Sequence, residues 1–506
     1  MSFAPFAAIW VLLLFAAGVA LIARRRPKIA IAATTISIIL AAALWALFRP
    51  ETIAPSLSLA GRQWAVGETA WHLTGIILLL CAAVVVRAAV DADSRHPRAM
   101  AIALGLPAAT LPVVWAADDR TRLMGMALFA AAWAILFILI SPTDSDSPRF
   151  TWRSGGLPLA ALFLLWAAIA VPGGRAVFGV AAAALLIVAG AAADSRAKFG
   201  AAGTALHGFP VVVAAALLGG ILGTGSISLS GVMLGTVMGL TALLLGLAWV
   251  WDRPTSLASA LALSLGGVVL IAAAWAGQSA LLAAARLAIF APLLIATAWS
   301  GARQTLSSDV ASDPNHESRR GLSPQLFALL VAYLAVAGLP LMVGFGALAP
   351  IYESWSGATG WVLLLVTVAL LSLWLAAIYQ AGRATMRAAT VDPATWLRGL
   401  TLIPSVIGLI SLDLTGLDAG VMTWAAIAIP VVAGVALGHF VPDMNAFGGL
   451  LREAAALPQP LVNAAARVRG ASRFAADALA DALAILEGEN GLIWLLGLLL
   501  LIIWIT

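Results

Sequence analysis

Two long apolar runs meet at the stretch Trp251-Asp-Arg-Pro-Thr-Ser-Leu-Ala-Ser-Ala-Leu-Ala-Leu-Ser-Leu-Gly-Gly267. The first run ends at Asp252 and Arg253, and the second begins directly after Pro254. Each run has about the 20 residues that an α-helix needs to cross roughly 30 Å of hydrocarbon. The charged pair therefore marks a junction between two membrane spans, where such residues typically set topology.

Apolar runs of this length recur along the whole chain. Of its 506 residues, 62% are hydrophobic and only 10% are charged, and the mean hydropathy is +1.03. A soluble protein is about 25% charged. Only helices and closed barrels satisfy their backbone in lipid, and barrel strands would be short and would alternate polar with apolar residues. The sequence therefore predicts an all-α polytopic membrane protein with about fifteen transmembrane helices. The expected spans are 4–23, 29–48, 72–92, 99–117, 123–141, 157–173, 176–193 with a continuation at 205–222, 230–251, 255–275, 279–300, 324–346, 358–382, 397–416, 419–440 and 491–506.

The basic net charge indicates topology rather than a nucleic-acid partner. The net charge is +5 and the pI about 10.1, but the Lys and Arg residues are scattered through short loops. The strongest cluster, Arg24-Arg-Arg-Pro-Lys28, follows the first apolar run, as expected of a cytoplasmic flank. We therefore expect a multi-pass protein of the inner (cytoplasmic) cell membrane, embedded in the lipid bilayer, with its N-terminus outside.

Neither a cofactor nor a metal is expected on this chain. Its one cysteine, Cys81, lies in an apolar run, which excludes a disulfide framework and a cysteine metal site. The sequence contains no phosphate-binding Gly-Lys-Ser/Thr loop, no nucleophile elbow and no His/Cys cluster with metal spacing. We expect no catalytic residues, and any redox cofactor would belong to a partner.

Three polar stretches interrupt the apolar pattern. Residues 49–71 have the alternation and the Gly-Arg turn of a small extracytoplasmic hairpin. Residues 301–323 form the longest loop between early and late spans. Residues 441–490 are rich in Ala and Leu with scattered charges, which predicts an amphipathic helix along the membrane or on a neighbour.

Four segments carry a resemblance to a known family. They are Trp251–Gly267, with Asp252, Leu257-Ala258 and Gly266 in place; Leu287-Ala-Ile-Phe-Ala-Pro-Leu-Leu-Ile295; Ala337-Gly-Leu-Pro-Leu-Met-Val-Gly-Phe345; and Phe209-Pro-Val-Val-Val-Ala-Ala-Ala-Leu-Leu218. Taken in their order along the chain, which begins with Phe209–Leu218, they resemble segments of the antiporter-like membrane subunits of respiratory complex I (L/M/N-type subunits of NADH:quinone oxidoreductase) and of Mrp-type cation/proton antiporters. The C-terminal amphipathic segment and last span resemble the lateral-helix tail of the L-type subunits.

The resemblance implies an architecture. It implies an antiporter-like bundle with two pseudo-symmetric halves, discontinuous helices with breaks marked by Pro210 and Pro340, and a C-terminal lateral helix. The expected divisions are N-terminal spans with the hairpin at 1–98, a first half at 99–251, a second half at 252–440, the lateral segment at 441–490 and a terminal helix at 491–506.

The residues that carry ions in that family are mostly absent. The family's Lys after the Asp is Pro254 here, and its Tyr is Ser259. Its Glu after Trp, its central His and Lys, and its late and early Lys correspond to Ala134, Leu287, Ala291, Leu348 and, in a looser alignment, Ala191. Proton movement through hydrocarbon needs successive ionisable groups, because a charge at the bilayer centre is costly unless paired or hydrated. The resemblance therefore implies a divergent member, in which packing replaces most of the ion path.

A few ionisable residues remain as ion-path candidates: Asp194, Arg196, Lys198, His207, Asp252 and Arg286. The cluster 194–198 is either a residual half-channel or a plain cytoplasmic loop. His207 is the residue most like a titrating relay, although a lone His at such a place is usually only hydrogen-bonded. For Arg286 there are two alternatives: it contributes to a hydrated path, or it snorkels or pairs with an acid on a neighbouring helix, and we favour the second.

Three functions are compatible with these features. The leading hypothesis is a structural membrane subunit of a multi-subunit respiratory NADH:quinone oxidoreductase-like or hydrogenase-like complex, with weakened or absent proton translocation and other membrane subunits as partners. The alternative is a competent Mrp-like cation/proton antiporter that uses the non-standard polar residues. An enzyme acting on lipid-linked substrates is disfavoured, because Glu51 and Glu68 are the only candidate acids in the early loops.

Overall fold

The structure is a computed structural model, which describes residues 3–23, 26–50, 54–59, 61–90, 97–140, 156–171, 173–194, 201–222, 228–252, 257–307, 324–357, 360–388, 399–411 and 418–440. The helices, numbered in chain order, are α1 Ala4–Ile22, α2 Pro27–Leu47, α3 Glu68–Val90, α4 Pro97–Val114, α5 Asp119–Ile140, α6 Leu157–Ala170, α7 Arg175–Asp194, α8 Ala201–Leu222, α9 Leu229–Asp252, α10 Leu257–Trp275, α11 Gly277–Ser307, α12 Pro324–Val336, α13 Val343–Trp355, α14 Trp361–Ala388, α15 Ile403–Leu409 and α16 Val421–Phe440. A 3-10 turn, Leu400–Leu402, precedes α15.

The helices have the length and composition of membrane spans. Within the described ranges, ten are long and apolar enough to cross a bilayer, and four shorter apolar helices accompany them. This confirms the prediction of an all-α polytopic membrane protein. The tail at 441–506, with its predicted lateral helix and last span, lies outside the described residues.

One small sheet lies in the stretch for which the sequence predicts a hairpin. Strands β1 (Ser56–Leu59) and β2 (Arg62–Ala65) pair antiparallel, with Leu57 opposite Trp64. The turn between them contains Gly61 at φ +73°, a left-handed conformation that favours glycine. On its other edge β2 bonds the segment between α4 and α5, where the Ala65 N–H donates to the Trp115 carbonyl at 2.8 Å. The hairpin is thereby fixed to one end of the bundle.

Charged groups beside the hairpin fasten the ends of α5 and α7. Burial alone would raise the pKa of the Asp118 carboxyl, but hydrogen bonds from the hydroxyl and N–H of Thr121 and from the Gln63 N–H hold that pKa below its usual range. Next to it, Arg122 and Arg175 donate to the same Asp119 oxygen at 2.8 and 2.9 Å. These contacts join the start of α5 to the start of α7.

Helix α8 occupies the centre of the bundle. It packs against α3, α4, α5, α7 and α11, and its side chains from Ala205 to Leu218 are buried. Helices α7 and α8, which the sequence treats as one span with a continuation, are two helices that lie side by side. A Cβ added at Gly190 of α7 would lie 2.7 Å from the His207 carbonyl oxygen of α8, so the absence of a side chain at Gly190 permits this close approach.

The expected span 324–346 is interrupted. Helix α12 ends at Val336, and α13 begins at Val343 after a six-residue connection that includes Pro340. Within a second expected span, 397–416, the described residues 399–411 contain the 3-10 turn and the short helix α15, which ends at Leu409. The end of α15 contacts the interruption between α12 and α13, because Met342 and Ile410 form an antiparallel bridge and the Ser411 N–H donates to the Leu341 carbonyl at 2.9 Å.

Candidate functional site

His207 lies at the centre of the bundle on α8. Its side chain is buried, and its Nε2 lies 3.3 Å from the Ile289 carbonyl oxygen of α11. A carbonyl oxygen can only accept a hydrogen bond, so Nε2 carries a proton in this contact. The ring is then neutral when Nδ1 carries no proton. Nδ1 has no hydrogen-bond partner within the described part of the chain. The arrangement is one isolated imidazole between two helices, with an acceptor nitrogen left over.

One turn further along α8, Pro210 does not break the helix. The sequence predicts a break here, but α8 runs uninterrupted from Ala201 to Leu222 through Pro210, which corrects that prediction. A proline has no N–H for the carbonyl four residues earlier, which is that of Leu206. The buried Trp133 indole of α5 donates to this carbonyl at 3.4 Å. An indole donor therefore replaces the missing backbone bond, and the helix persists.

The interruption that contains Pro340 is built differently. Helix α12 ends in a Schellman motif, in which the N–H groups of Gly338 and Leu339 donate to Ala335 and Leu334, and Gly338 has φ +71°. A type II turn follows, because the Met342 N–H donates to the Leu339 carbonyl at 3.1 Å. Pro340 occupies the second position of this turn. Its third position, which normally requires glycine, is Leu341 at φ +69°.

Arg286 joins this region to α15. From the middle of α11, its Nε donates to the Gly408 carbonyl at 3.1 Å and its Nη2 to the Ile410 carbonyl at 2.7 Å. Helix carbonyls at a C-terminus lack intrahelical donors and carry partial negative charge, so a guanidinium suits them. In the described part of the chain Arg286 therefore binds helix-terminal carbonyls, whereas the favoured prediction is that it snorkels or pairs with an acid on a neighbouring helix. Because Ile410 also pairs with Met342, Arg286 fixes the end of α15 beside the interruption between α12 and α13.

The family's ion-carrying positions are filled with apolar side chains. Ala191, Leu287, Ala291 and Leu348 are each no more than 2% exposed. A Cβ added at Gly338 would lie 3.0 Å from a Leu348 methyl group, so Leu348 packs against the interruption itself. Among the described residues, none of the buried side chains is an Asp, Glu, Lys or Arg. The positions that correspond to ion-carrying residues in the resemblance are therefore apolar and buried where the structure describes them.

Of the other candidates, the structure places the backbone of Asp194 and Asp252 and the whole of Arg286. Asp194 is the last residue of α7 and Asp252 the last of α9. Arg196 and Lys198 lie outside the described residues. The described contacts thus give two separate features, the imidazole on α8 and the guanidinium on α11.

Sequence reasoning missed two partners in this site. Trp133 is considered only as a family position, although a tryptophan indole is a plausible donor wherever a helix contains proline. The carbonyls of Gly408 and Ile410 leave no signal in the sequence, because any residue has a carbonyl and only the folded chain shows which ones lack a donor.

Comparisons with known proteins agree with this architecture. No protein-family model and no curated protein sequence matches the chain. Among solved structures, a chain of the Mrp complex from Dietzia sp. DQ12-45-1b matches with a TM-score of 0.68 and 16% identity, over 98% of this chain and 62% of that chain. A chain of the membrane-bound sulfane sulfur reductase, an archaeal respiratory membrane complex, matches with a TM-score of 0.49 and 14% identity, over 86% of this chain and 76% of that chain. This protein thus spans about three fifths of the length of the Mrp neighbour. The likeness to that neighbour shows an antiporter-like subunit fold.

Proposed function

We propose that this chain is a structural, non-translocating membrane subunit of a multi-subunit respiratory NADH:quinone oxidoreductase-like or hydrogenase-like complex. The observation that carries the proposal is the apolar filling of Ala191, Leu287, Ala291 and Leu348. An ion that crossed this interior would meet no charged side chain among the buried described residues. The cost of a bare charge near the bilayer centre is several kcal/mol, about 2.5–3.5 on insertion scales.

Two features support a role in assembly. The fold is shared with a chain of the Mrp complex, a multi-subunit assembly by its name. The tail at 441–506 resembles a lateral helix, which would need neighbouring subunits along its length. On this proposal the chain keeps the antiporter-like scaffold as a membrane spacer, and partners hold any electron-transfer cofactors.

The test has two measurements on the full chain. The tagged protein is purified in mild detergent from its native membranes, and the copurifying chains are identified by mass spectrometry. We expect a stable set of membrane partners, including chains with flavin or iron–sulfur motifs. In parallel, proteoliposomes with the purified protein should show no proton or sodium flux above empty vesicles. A protein that purifies alone, or one that moves ions at a rate well above the vesicle background, would contradict the proposal.

One observation favours the antiporter as the second candidate. His207 is buried with an unpartnered Nδ1 in the described structure, and such a nitrogen is available to receive a proton. If this candidate is right, His207→Gln abolishes flux while His439→Gln, a matched change at the end of α16, leaves it intact. Replacement of Asp194, Arg196 and Lys198 by Ala tests the rest of the predicted path in the same assay.

A further inference from the structure

An apolar groove of about 330 Å³ runs between α2 and α3. Its walls are formed by Ile31, Thr35, Ile38 and Ile39 of α2, by Ala82, Val85, Val86, Ala89 and Val90 of α3, and by Leu400. Ile39 and Leu400 are 61% and 48% exposed, so the groove is open at its side. His207 and Arg286, the ion-path candidates whose side chains are described, lie on α8 and α11 and do not line this groove.

The groove exists because small residues alternate with branched ones on α3. Ala82 and Ala89 are two helical turns apart, so they share one face of α3 and leave a depression between the valines. The one hydroxyl in the wall is already satisfied, because Thr35 donates to the Ile31 carbonyl at 2.7 Å. The walls of the groove therefore offer methyl and methylene contacts, and they offer no free polar group to an occupant.

Positive charge continues the groove at one end. Lys28 lies three residues before Ile31 and seven before Thr35, which places it on the same face of α2. Arg26 lies just before the helix begins, and both side chains are exposed. Val90, the last residue of α3, belongs to the same end of the groove because α2 begins where α3 finishes. The combined feature is an apolar slot next to the start of α2, where Arg26 and Lys28 are the cations that the described residues provide.

We propose that this groove binds an anionic phospholipid, with one acyl chain along Ile31, Thr35, Ala82 and Ala89 and the phosphate at Lys28 and Arg26. An acyl chain is flexible and needs no hydrogen bonds, so it fits a narrow apolar slot with satisfied walls. A basic cluster beside membrane helices contributes about 1 kcal/mol per Lys or Arg toward an anionic headgroup, a roughly fivefold change in affinity for each. The site is independent of whether the protein moves ions or of which complex contains it.

The test measures lipid binding by native mass spectrometry of the full-length protein. The purified protein is titrated with dioleoyl phosphatidylglycerol and, separately, with dioleoyl phosphatidylcholine. We expect the anionic lipid to bind at least tenfold more tightly. The double variant Arg26→Gln with Lys28→Gln should reduce phosphatidylglycerol affinity to about that of phosphatidylcholine. Arg383→Gln, which removes a cation from α14, is the matched control and should change neither affinity.

A second pair of variants tests the slot. Ala89→Phe fills it and should lower the affinity for both lipids at least fivefold, whereas Ala32→Phe, on an exposed position of α2 outside the groove, should not. Ala82→Leu makes the same test with a smaller side chain if Ala89→Phe fails to fold. The proposal is overturned if the double variant keeps its preference for phosphatidylglycerol. It is also overturned if the folded variants with a filled groove, Ala89→Phe and Ala82→Leu, bind both lipids with the affinity of the unchanged protein. It is also overturned if Ala89→Phe displaces a copurifying protein while lipid binding stays unchanged, because the occupant is then a partner helix.

Discussion

Pro210 and Pro340 stand in comparable settings and give opposite results. Both lie in apolar segments, Pro210 buried and Pro340 half-buried, and the family resemblance associates both with broken helices. Helix α8 continues through Pro210, whereas the chain at Pro340 leaves the helix altogether. The difference lies in the neighbours of each proline rather than in the proline itself.

At Pro210 the Trp133 indole replaces the missing backbone donor, whereas at Pro340 the helix has already ended at Gly338. An interior proline costs a helix about 3 kcal/mol, of which a neutral hydrogen bond such as that from the Trp133 indole offsets about 1 kcal/mol. Before Pro340, Gly338 at φ +71° ends α12 first, so the proline disturbs no helical bond. A glycine stands two residues before each proline, Gly208 and Gly338, so this spacing alone does not distinguish the two sites, and only Gly338 adopts the left-handed conformation that ends a helix.

The largest effect is expected from a change that prevents α12 and α13 from packing closely beside the interruption that contains Pro340. A Cβ at Gly344 would collide with the backbone carbonyl of Ala335, and backbone cannot move aside as a side chain does. We expect Gly344→Ala to lower the free energy of unfolding by about 3 kcal/mol, the upper part of the range for overpacking. The measurement is unfolding in mixed micelles. In Gly346→Ala the new Cβ would lie 3.4 Å from Ala283 Cβ, so this control should cost little, and equal losses would show that the interruption is not special.

The next largest effect is expected at Arg286. Arg286→Gln removes the guanidinium that binds the carbonyls of Gly408 and Ile410. Hydrogen bonds that involve a charged group contribute about 1.5–3 kcal/mol, so we expect a loss of about 2 kcal/mol. Arg286→Lys should recover only part, because a lysine lacks the planar fork that reaches both carbonyls.

A labelling experiment distinguishes fixation of the interruption from general stability. Cys81 is the one cysteine of the chain and is buried, so a Cys81→Ala background gives single-site labelling. A thiol placed by Ser411→Cys should react with maleimide at least fivefold faster when Arg286 is replaced by Gln. Arg383→Gln is the matched loss of charge. Unchanged labelling at position 411 would mean that Arg286 does not hold this end of α15.

Much of the fold follows from the sequence because hydrocarbon imposes one strong rule. The runs 4–23, 230–251 and 255–275 coincide closely with α1, α9 and α10, since a span must be apolar and about 20 residues long. The same rule does not separate one long span from two shorter pieces. It therefore places one helix at 324–346, and only the Gly-Leu-Pro motif indicates the interruption there.

The hydrogen-bond partners in the candidate site are harder to predict from the sequence than the helices. Burial of Leu287, Ala291 and Leu348 follows from their apolar character, but the partners of His207 and Arg286 do not. Both are backbone carbonyls of helices distant in sequence. Every residue has a carbonyl, and its oxygen has two lone pairs, so the sequence does not show which carbonyl an imidazole or a guanidinium will reach. An acidic partner, by contrast, is visible in the sequence as a residue type.

The donor at Pro210 can be tested with a double-mutant cycle. Trp133→Phe keeps most of the buried ring and removes the indole N–H, so we expect a loss of about 1 kcal/mol. In a Pro210→Ala background the backbone N–H can bond Leu206 directly, and the same Trp133→Phe change should then cost less. The coupling free energy between the two positions reports the indole bond. Additive losses would mean that α8 tolerates Pro210 for another reason, such as packing of its neighbours.

The smallest effect is expected at Leu341, and its sign is opposite. A leucine at φ +69° pays roughly 1–2 kcal/mol of steric cost, and its side chain is 54% exposed, so little burial compensates. Glycine removes the strain but adds chain entropy to the unfolded state, about 0.5–1 kcal/mol. We expect Leu341→Gly to raise the free energy of unfolding by about 0.5 kcal/mol, measured in mixed micelles. Leu339→Gly, at the first position of the same turn, relieves no such strain and should destabilise through lost packing. If Leu341→Gly is as destabilising as Leu339→Gly, the turn at Pro340 is held by the contacts of the Leu341 side chain, and the contrast with Pro210 would then rest on packing at both prolines.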